Sequence, residues 1–290
     1  MMNYTGIVLI VLSAICWGIT GGLADIMLSK GWDPLTISFY RGAIGLACFM
    51  AWTLLSKTKK QDVSLQLIWW SSVAGIGVAG NFTFYFLSIE STSVPIAATL
   101  MYTAPLFVML ASFLLRLEKS TWFKWGCIVS VLAGIVLLTK AYDTGSSAVN
   151  FIGVATGLGA GLSYALFIFG FKNASESGRP QLVLTFAFIA FSAVLAFFID
   201  GKEAASVFSS SDAVWFLAIG IVGAGLSFAL YTIGVQQTAP STASIIAMVE
   251  PVTASLFGVV LLGDALAIVQ IIGMMIILLT VTTLSFKKGS

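Results

Sequence analysis

Three ionisable side chains, Asp25, Arg41 and Glu250, lie inside long apolar runs. A charge at the centre of a bilayer costs about 2.5–3.5 kcal/mol on insertion scales, so each needs a partner, water or a neutral form. Arg41, in "ISFYRGAIG", has a stem long enough to snorkel to an interface and a planar fork that suits a carboxylate. Asp25 stands near the end of the first run. There it is either solvated at the interface or paired with Arg41 as part of an outer gate. Glu250 is the deepest of the three and precedes Pro251, whose ring removes a backbone N–H and clashes with the carbonyl of residue 247. Burial disfavours a charged carboxyl, so a protonated Glu250 donating to such a carbonyl suits proton coupling as well as a helix kink.

Aromatic side chains form the second set. Trp17, Tyr40, Tyr85, Tyr102, Tyr164 and Tyr231 fall within the runs, away from the interfacial belts that such rings usually occupy. Asn81, Tyr85 and Ser88 are spaced i, i+4, i+7, and Tyr231 shares a face with Ser227 and Gly234. Buried Tyr and Trp need hydrogen-bond partners, which a polar cavity supplies. The alternative is helix packing with the hydroxyls bonded to backbone carbonyls. The candidate substrate-binding residues are therefore Trp17, Asn81, Tyr85, Tyr102, Tyr164 and Tyr231. Asp25, Arg41 and Glu250 are candidates for gating or coupling, and Pro105 and Pro251, both mid-run, for helix hinges.

The elements that must hold these residues are membrane helices. Of 290 residues 59% are hydrophobic and 9% charged, and mean hydropathy is +1.03; a water-soluble globule of this size has no way to cover so much apolar surface. Runs of about 20 apolar residues, the length that crosses a bilayer core, number ten: 4–27, 35–55, 65–88, 93–115, 121–140, 150–172, 180–199, 213–235, 240–262 and 265–285. The expected fold is all-α. The chain has no histidine, which removes His-based triads, His-ligated zinc and HExxH proteases. A net charge of +2 gives no footprint for nucleic acid. Cys16, Cys48 and Cys127 read as small hydrophobes. No metal or other cofactor is expected, and no Walker A motif is present. Gly75, Gly77 and Gly80 spell G-x-G-x-x-G but sit mid-run with no preceding strand, so the dinucleotide reading is rejected. Gly153, Gly157 and Gly161 permit close helix contact.

Basic residues set the orientation. With the N-terminus inside, Lys57, Lys59, Lys60, Arg116, Lys119, Lys124, Lys172, Arg179, Lys287 and Lys288 are cytoplasmic, against Lys30, Lys140 and Lys202 outside. Both termini are then cytoplasmic. The chain also repeats at an offset of about 146: Tyr85 on Tyr231, Pro105 on Pro251, Leu110 on Leu256, Glu118 on Asp264, with Gly6 and Trp17 opposite Gly153 and Tyr164 at 147. Five runs per half place the halves, 1–144 and 145–290, in opposite orientations. Interrupted helices at matching positions of inverted repeats point to a transport site. Glu118 and Asp264 read as isolated boundary acids, which discourages a membrane-embedded enzyme.

The stretches "LSIESTSVPIAATLMYTAPLFVMLASFLLRLEKST" (87–121) and "YTIGVQQTAPSTASIIAMVEPVTASLFGVVLLGDAL" (231–266) resemble the paired EamA-type modules of the drug/metabolite transporter superfamily. The chain is similar to ten-helix carriers of the aromatic amino-acid exporter type. The resemblance implies ten helices in two inverted five-helix repeats, with a central cavity between the first four helices of each half. It also implies cargo among small metabolites such as amino acids, nucleobases, vitamins or choline. Leu117 departs from the glycine that members often carry before the acid, whereas Gly263 keeps it. The expected function is secondary transport of an amino acid or related amphipathic compound, in the export direction, across a bacterial-type inner membrane. Uptake of choline-like quaternary ammonium compounds is the alternative, with Trp17, Tyr85 and Tyr231 as a cage near Glu250. The expected partners are a small-molecule substrate, the lipid bilayer and a coupling proton. Lipid-facing surfaces suit a monomer and a homodimer equally.

Overall fold

The computed structural model describes residues 4–56, 63–143, 151–263 and 265–286. Lys57, Lys59, Lys60, Lys287, Lys288, Asp264 and positions 144–150 of the connector between halves fall outside the described residues. The described residues fold as helices and connections, with no strand among them.

Local chemistry sets the helix starts. Asp33 caps α2 (Pro34–Leu55), its Oδ1 accepting from the N–H groups of Leu35 and Thr36, with Pro34 at the first helical position. Ser64 and Thr121 cap α3 (Leu65–Ser91) and α6 (Trp122–Thr139) in the same way. Together with α1 (Tyr4–Ser29) and the broken helix α4 (Val94–Met101) and α5 (Ala104–Leu114), these make up the first half. The second half runs α7 (Phe151–Ser177), α8 (Pro180–Ala196), a short α9 (Gly201–Ser206), α10 (Ala213–Gly220), α11 (Ser227–Gln236), α12 (Pro240–Ala247), α13 (Val249–Phe257) and α14 (Ile268–Phe286). The chain is a multi-pass membrane protein.

Both mid-run prolines interrupt their helices. The fourth run stops at Met101 and the ninth at Ala247. Those residues are four before Pro105 and Pro251, where a proline ring meets the helix carbonyl. The chain resumes as α5 and α13 after a turn at Tyr102–Thr103 and at Met248. Two further irregularities are π-helical segments, Ile221–Leu226 between α10 and α11, and Gly258–Leu262 after α13.

Nine helical segments among the described residues are long and apolar enough to cross a membrane. The seventh expected run departs from the pattern. α8 ends at Ala196 after 17 residues, and the chain bends by 118° into Gly201–Ser209 instead of continuing to 199. The cause is local: Asp200 starts a new helix, its carboxylate accepting from the Lys202 N–H. The first and sixth runs are longer than expected, reaching Ser29 and Ser177.

The core is built on α3, which packs on α7 more extensively than any other pair of elements meets. Glycine makes that approach possible. A Cβ on Gly170 would lie 2.6 Å from the backbone nitrogen of Ala74, and one on Gly77 would lie 2.7 Å from that of Phe167; toward α8, one on Gly75 would lie 1.9 Å from the Ala187 carbonyl oxygen. The G-x-G-x-x-G string is thus a packing stripe against α7 and α8.

Candidate functional site

A cavity of about 350 Å³ lies between the two halves. Its floor is aromatic, formed by Trp17 on α1, Tyr164 and Phe167 on α7, and Phe228 on α11. Trp17 meets Phe228 with ring centroids 5.1 Å apart, and Tyr164 meets Phe167 at 4.4 Å. From this floor the lining runs along α1 to Asp25 and Leu28, along α3 to Ile89, and along the ninth span to Leu262. The cavity therefore opens toward the face that carries the α1–α2 connection, and it is closed toward the N-terminus of α1.

Arg41 and Glu250 both line it. Arg41 is 9% exposed and sits about two turns inside α2. Its Nε and Nη2 both donate to the carbonyl of Gly223, at 2.9 and 2.7 Å. Gly223 belongs to the π-helical segment, a kind of helix irregularity that recurs at functional sites. The guanidinium carbon also stands 5.1 Å from the ring centroid of Phe82, a cation–π contact. Nη1 has no hydrogen bond among the described residues. Arg41 makes no ion pair with Asp25 among the described residues; Asp25 is exposed at the mouth.

Glu250 begins the second turn-start of the broken ninth span, in the first turn of α13. The Tyr164 hydroxyl donates to Oε2 at 3.4 Å, and Tyr102, at the break of the fourth span, lines the same cavity. The helix breaks thus bring Tyr102 and Glu250 together from the two halves.

Asn81 fixes the wall, its Nδ2 donating to the Ala160 carbonyl at 3.0 Å. Tyr85, half-buried, lines the cavity one turn further along α3. Of the residues expected from sequence to meet substrate, Trp17, Asn81, Tyr85, Tyr102 and Tyr164 line the cavity, whereas Tyr231 does not. Tyr231 lies behind Trp17, 5.2 Å between ring centroids, with no exposed surface. The reason is helical spacing: Phe228, one turn earlier, takes the lining position. Pro105 and Pro251 stand at the breaks rather than in the lining. Sequence reasoning passed over Ser38, Phe82, Phe167 and Phe228. Ser38 had a signal, one turn before Arg41. The phenylalanines had none, being three of 22.

The closed face is held by polar contacts. Glu118 is not an isolated acid: it accepts from Lys124 Nζ and from both the N–H (3.1 Å) and the hydroxyl of Ser241, at the start of α12. Burial alone would raise the Glu118 carboxyl, but the hydrogen bonds from Lys124 and Ser241 outweigh it and hold the group below its ordinary value. Lys172 Nζ donates to the Val235 and Gln236 carbonyls, at 3.2 and 2.9 Å, a favourable place for a cation at a helix C-terminus. On the open face Asp212 accepts from Lys30 and from Trp32 Nε1, and these bonds hold its carboxyl below the ordinary value.

Comparisons with known proteins agree with a carrier. A sequence profile described as the EamA-like transporter family matches twice, over residues 4–140 and 151–286. An uncharacterised transporter of Archaeoglobus fulgidus is 27% identical over 269 residues, covering 91% of this chain and 90% of the relative. The threonine/homoserine exporter RhtA of Escherichia coli is 27% identical over 280 residues, covering 91% and 88%. RhtA of Salmonella typhimurium is 29% identical over 262 residues, covering 85% and 81%. A solved structure described only as "Crystal structure of protein" superposes with a TM-score of 0.79 over 99% of each chain at 20% identity, a likeness of fold.

Proposed function

The chain belongs to the EamA-like transporter family, and from that premise we propose that it is a secondary active carrier exporting an amino acid by alternating access. The observation that carries this reading is the meeting of Arg41 and Glu250 in a single aromatic-walled cavity, with Asp25 at its mouth. An amino acid presents both charges on one carbon. Its carboxylate fits the free Nη1 of Arg41, its ammonium fits Glu250, and its side chain lies against Trp17, Phe82 and Phe228. A cavity of about 350 Å³ is at the small end of ligand sites, as such a cargo requires. The threonine/homoserine exporters among its relatives carry substrates of this class by name. A quaternary ammonium fits less well, because Arg41 places a positive charge in the cavity and Tyr231 is missing from the cage.

Mechanistically, Pro180–Ala196 counts as the seventh of ten spans, and the halves 1–144 and 145–290 are inverted repeats. Three correspondences support this. The family profile matches twice. The helix breaks fall at Met101 and Ala247, and α6 starts at Trp122 where α14 starts at Ile268, all 146 residues apart. With both termini cytoplasmic in the inner membrane, the cavity faces outward. Transport swings the halves about the central axis with the breaks at Pro105 and Pro251 as hinges. Glu250 exchanges the substrate ammonium for a proton, so the gradient drives the cycle.

The test is uptake into proteoliposomes across an imposed pH gradient. Wild type is expected to move an amino acid in response to the gradient, and Glu250→Gln to keep exchange while losing that response. An unchanged gradient dependence in Glu250→Gln would remove Glu250 from coupling.

A further inference from the structure

Tyr231 and the indole N–H of Trp17 are buried polar atoms without a partner among the described residues. Tyr231 has no exposed surface, and Trp17 is 5% exposed. Orphaned polar groups at membrane depth cost several kcal/mol each, and an orphan in a native fold asks for a cause. Here both lie in one layer. Below the cavity floor, the Tyr231 ring contacts Trp17 at 5.2 Å, Phe167 at 6.0 Å and Phe171 at 6.2 Å. One turn beyond Tyr231 toward the closed face, Gly234 packs on Gly6 and Ile10 of α1, and Lys172 caps the end of α11. Tyr231 therefore lies between the floor and the closed face. Ser13, one turn below Trp17 on α1, is likewise buried and unpartnered.

The repeat gives this layer a meaning. Tyr231 corresponds to Tyr85 at the offset of 146, and Tyr85 lines the open cavity. Arg41 and Glu250, by contrast, correspond at that offset to Ala187 and Ala104. The charges occur once, while the tyrosine occurs twice, once open and once sealed. In an inverted-repeat carrier the two facing states are related by exchange of the halves' conformations. We propose that Tyr231 and Trp17 Nε1 line the substrate path in the opposite-facing state, Tyr231 there taking the part that Tyr85 takes in this one. The unpaired hydroxyl and N–H are donors held ready for that state: they hydrogen-bond the substrate or its water when α1 and α11 separate. The inference rests on the alternating-access reading, and it adds a binding residue specific to one side.

Accessibility tests it without knowledge of the substrate. In a background lacking Cys16, Cys48 and Cys127, single variants Tyr85→Cys, Tyr231→Cys and Ser13→Cys are exposed to a membrane-impermeant maleimide from each face. Ser13→Cys, a near-isosteric change, serves if Tyr231→Cys does not fold. Tyr85→Cys is expected to react only from the face that carries Asp25, and Tyr231→Cys and Ser13→Cys only from the other. Absence of labelling at positions 231 and 13 from both faces, with position 85 reactive, would overturn the proposal. A second arm measures threonine exchange by Tyr231→Phe from each face. A rise in KM of about 3- to 10-fold at the closed face alone, the value of one hydrogen bond, is expected, and an equal rise at both faces contradicts it. Failure of the wild type to exchange any of the twenty standard amino acids, with the labelling pattern intact, would sink the amino-acid reading and leave this inference standing.

Discussion

Arg41 and Glu250 line one cavity, and the proposed roles of each follow from what they already hold. Nε and Nη2 of Arg41 are fixed on the Gly223 carbonyl, so the guanidinium is pre-positioned while the two Nη1 hydrogens and the second Nη2 hydrogen remain for cargo. Lysine, with a single nitrogen, cannot reproduce this fork. Arg41→Lys is therefore expected to raise KM about 10- to 100-fold, the range of a charge-assisted hydrogen bond, in binding measured by thermal shift or transport. Tyr164→Phe removes one donor from Glu250 and is expected to weaken ammonium selectivity with a KM change of about 3- to 10-fold. At this scale the sequence was informative where a residue type is out of place. A charge inside an apolar run identified Arg41 and Glu250, and a phenol inside one identified Tyr102 and Tyr164. It was uninformative where the cavity uses phenylalanine, since Phe82 and Phe228 look like any lipid-facing ring. It also placed Tyr231 in the lining, because position on a helix face does not say which of two successive turns, Phe228 or Tyr231, ends at the water.

The helix breaks are the elements that make the site. Their positions were legible: each half-helix stops four residues before its proline, where the ring and the carbonyl collide. Replacing Pro251 with alanine restores the N–H and removes the clash. Pro251→Ala is expected to slow turnover while leaving binding in place, read as a fall in kcat with KM retained. The Glu118–Ser241 lock was not legible, because 123 residues separate its partners. It ties the loop after α5 to the start of α12 and closes the face opposite the cavity. Glu118→Gln is expected to cost about 1–3 kcal/mol of that closure, the loss of hydrogen bonds to a charged group, and to increase labelling of Ser13→Cys from the closed face. The pH dependence has a definite sign. Because the folded-state carboxyl of Glu118 lies below its ordinary value, its stabilisation is complete above the ordinary carboxylate range, about pH 4.3, and is lost as pH falls through the lowered value. Thermal unfolding of wild type and Glu118→Gln across acidic pH checks this: the gap between them narrows as pH falls.

At the scale of the molecule, composition alone announced a multi-pass membrane protein, and the low charge content made each buried charge conspicuous. The count of spans was less secure. A new helix capped by Asp200 cuts the seventh run short, and hydropathy has no means of seeing a cap. The asymmetry of the cavity was likewise out of reach, because an internal sequence match does not say toward which face a cavity opens. What the whole molecule adds is that Arg41 and Glu250 line one cavity, with Asp25 at its mouth and an aromatic floor beneath them. The proposed function requires one site, served by Arg41 and Glu250 and reached from either side in turn. Counterflow of radiolabelled threonine in proteoliposomes without ATP examines this, with wild type, Arg41→Ala and Glu250→Gln compared at equal incorporation. Saturable exchange is expected of wild type, abolished by Arg41→Ala and freed from the pH gradient by Glu250→Gln. Exchange that proceeds unchanged in both variants would contradict it.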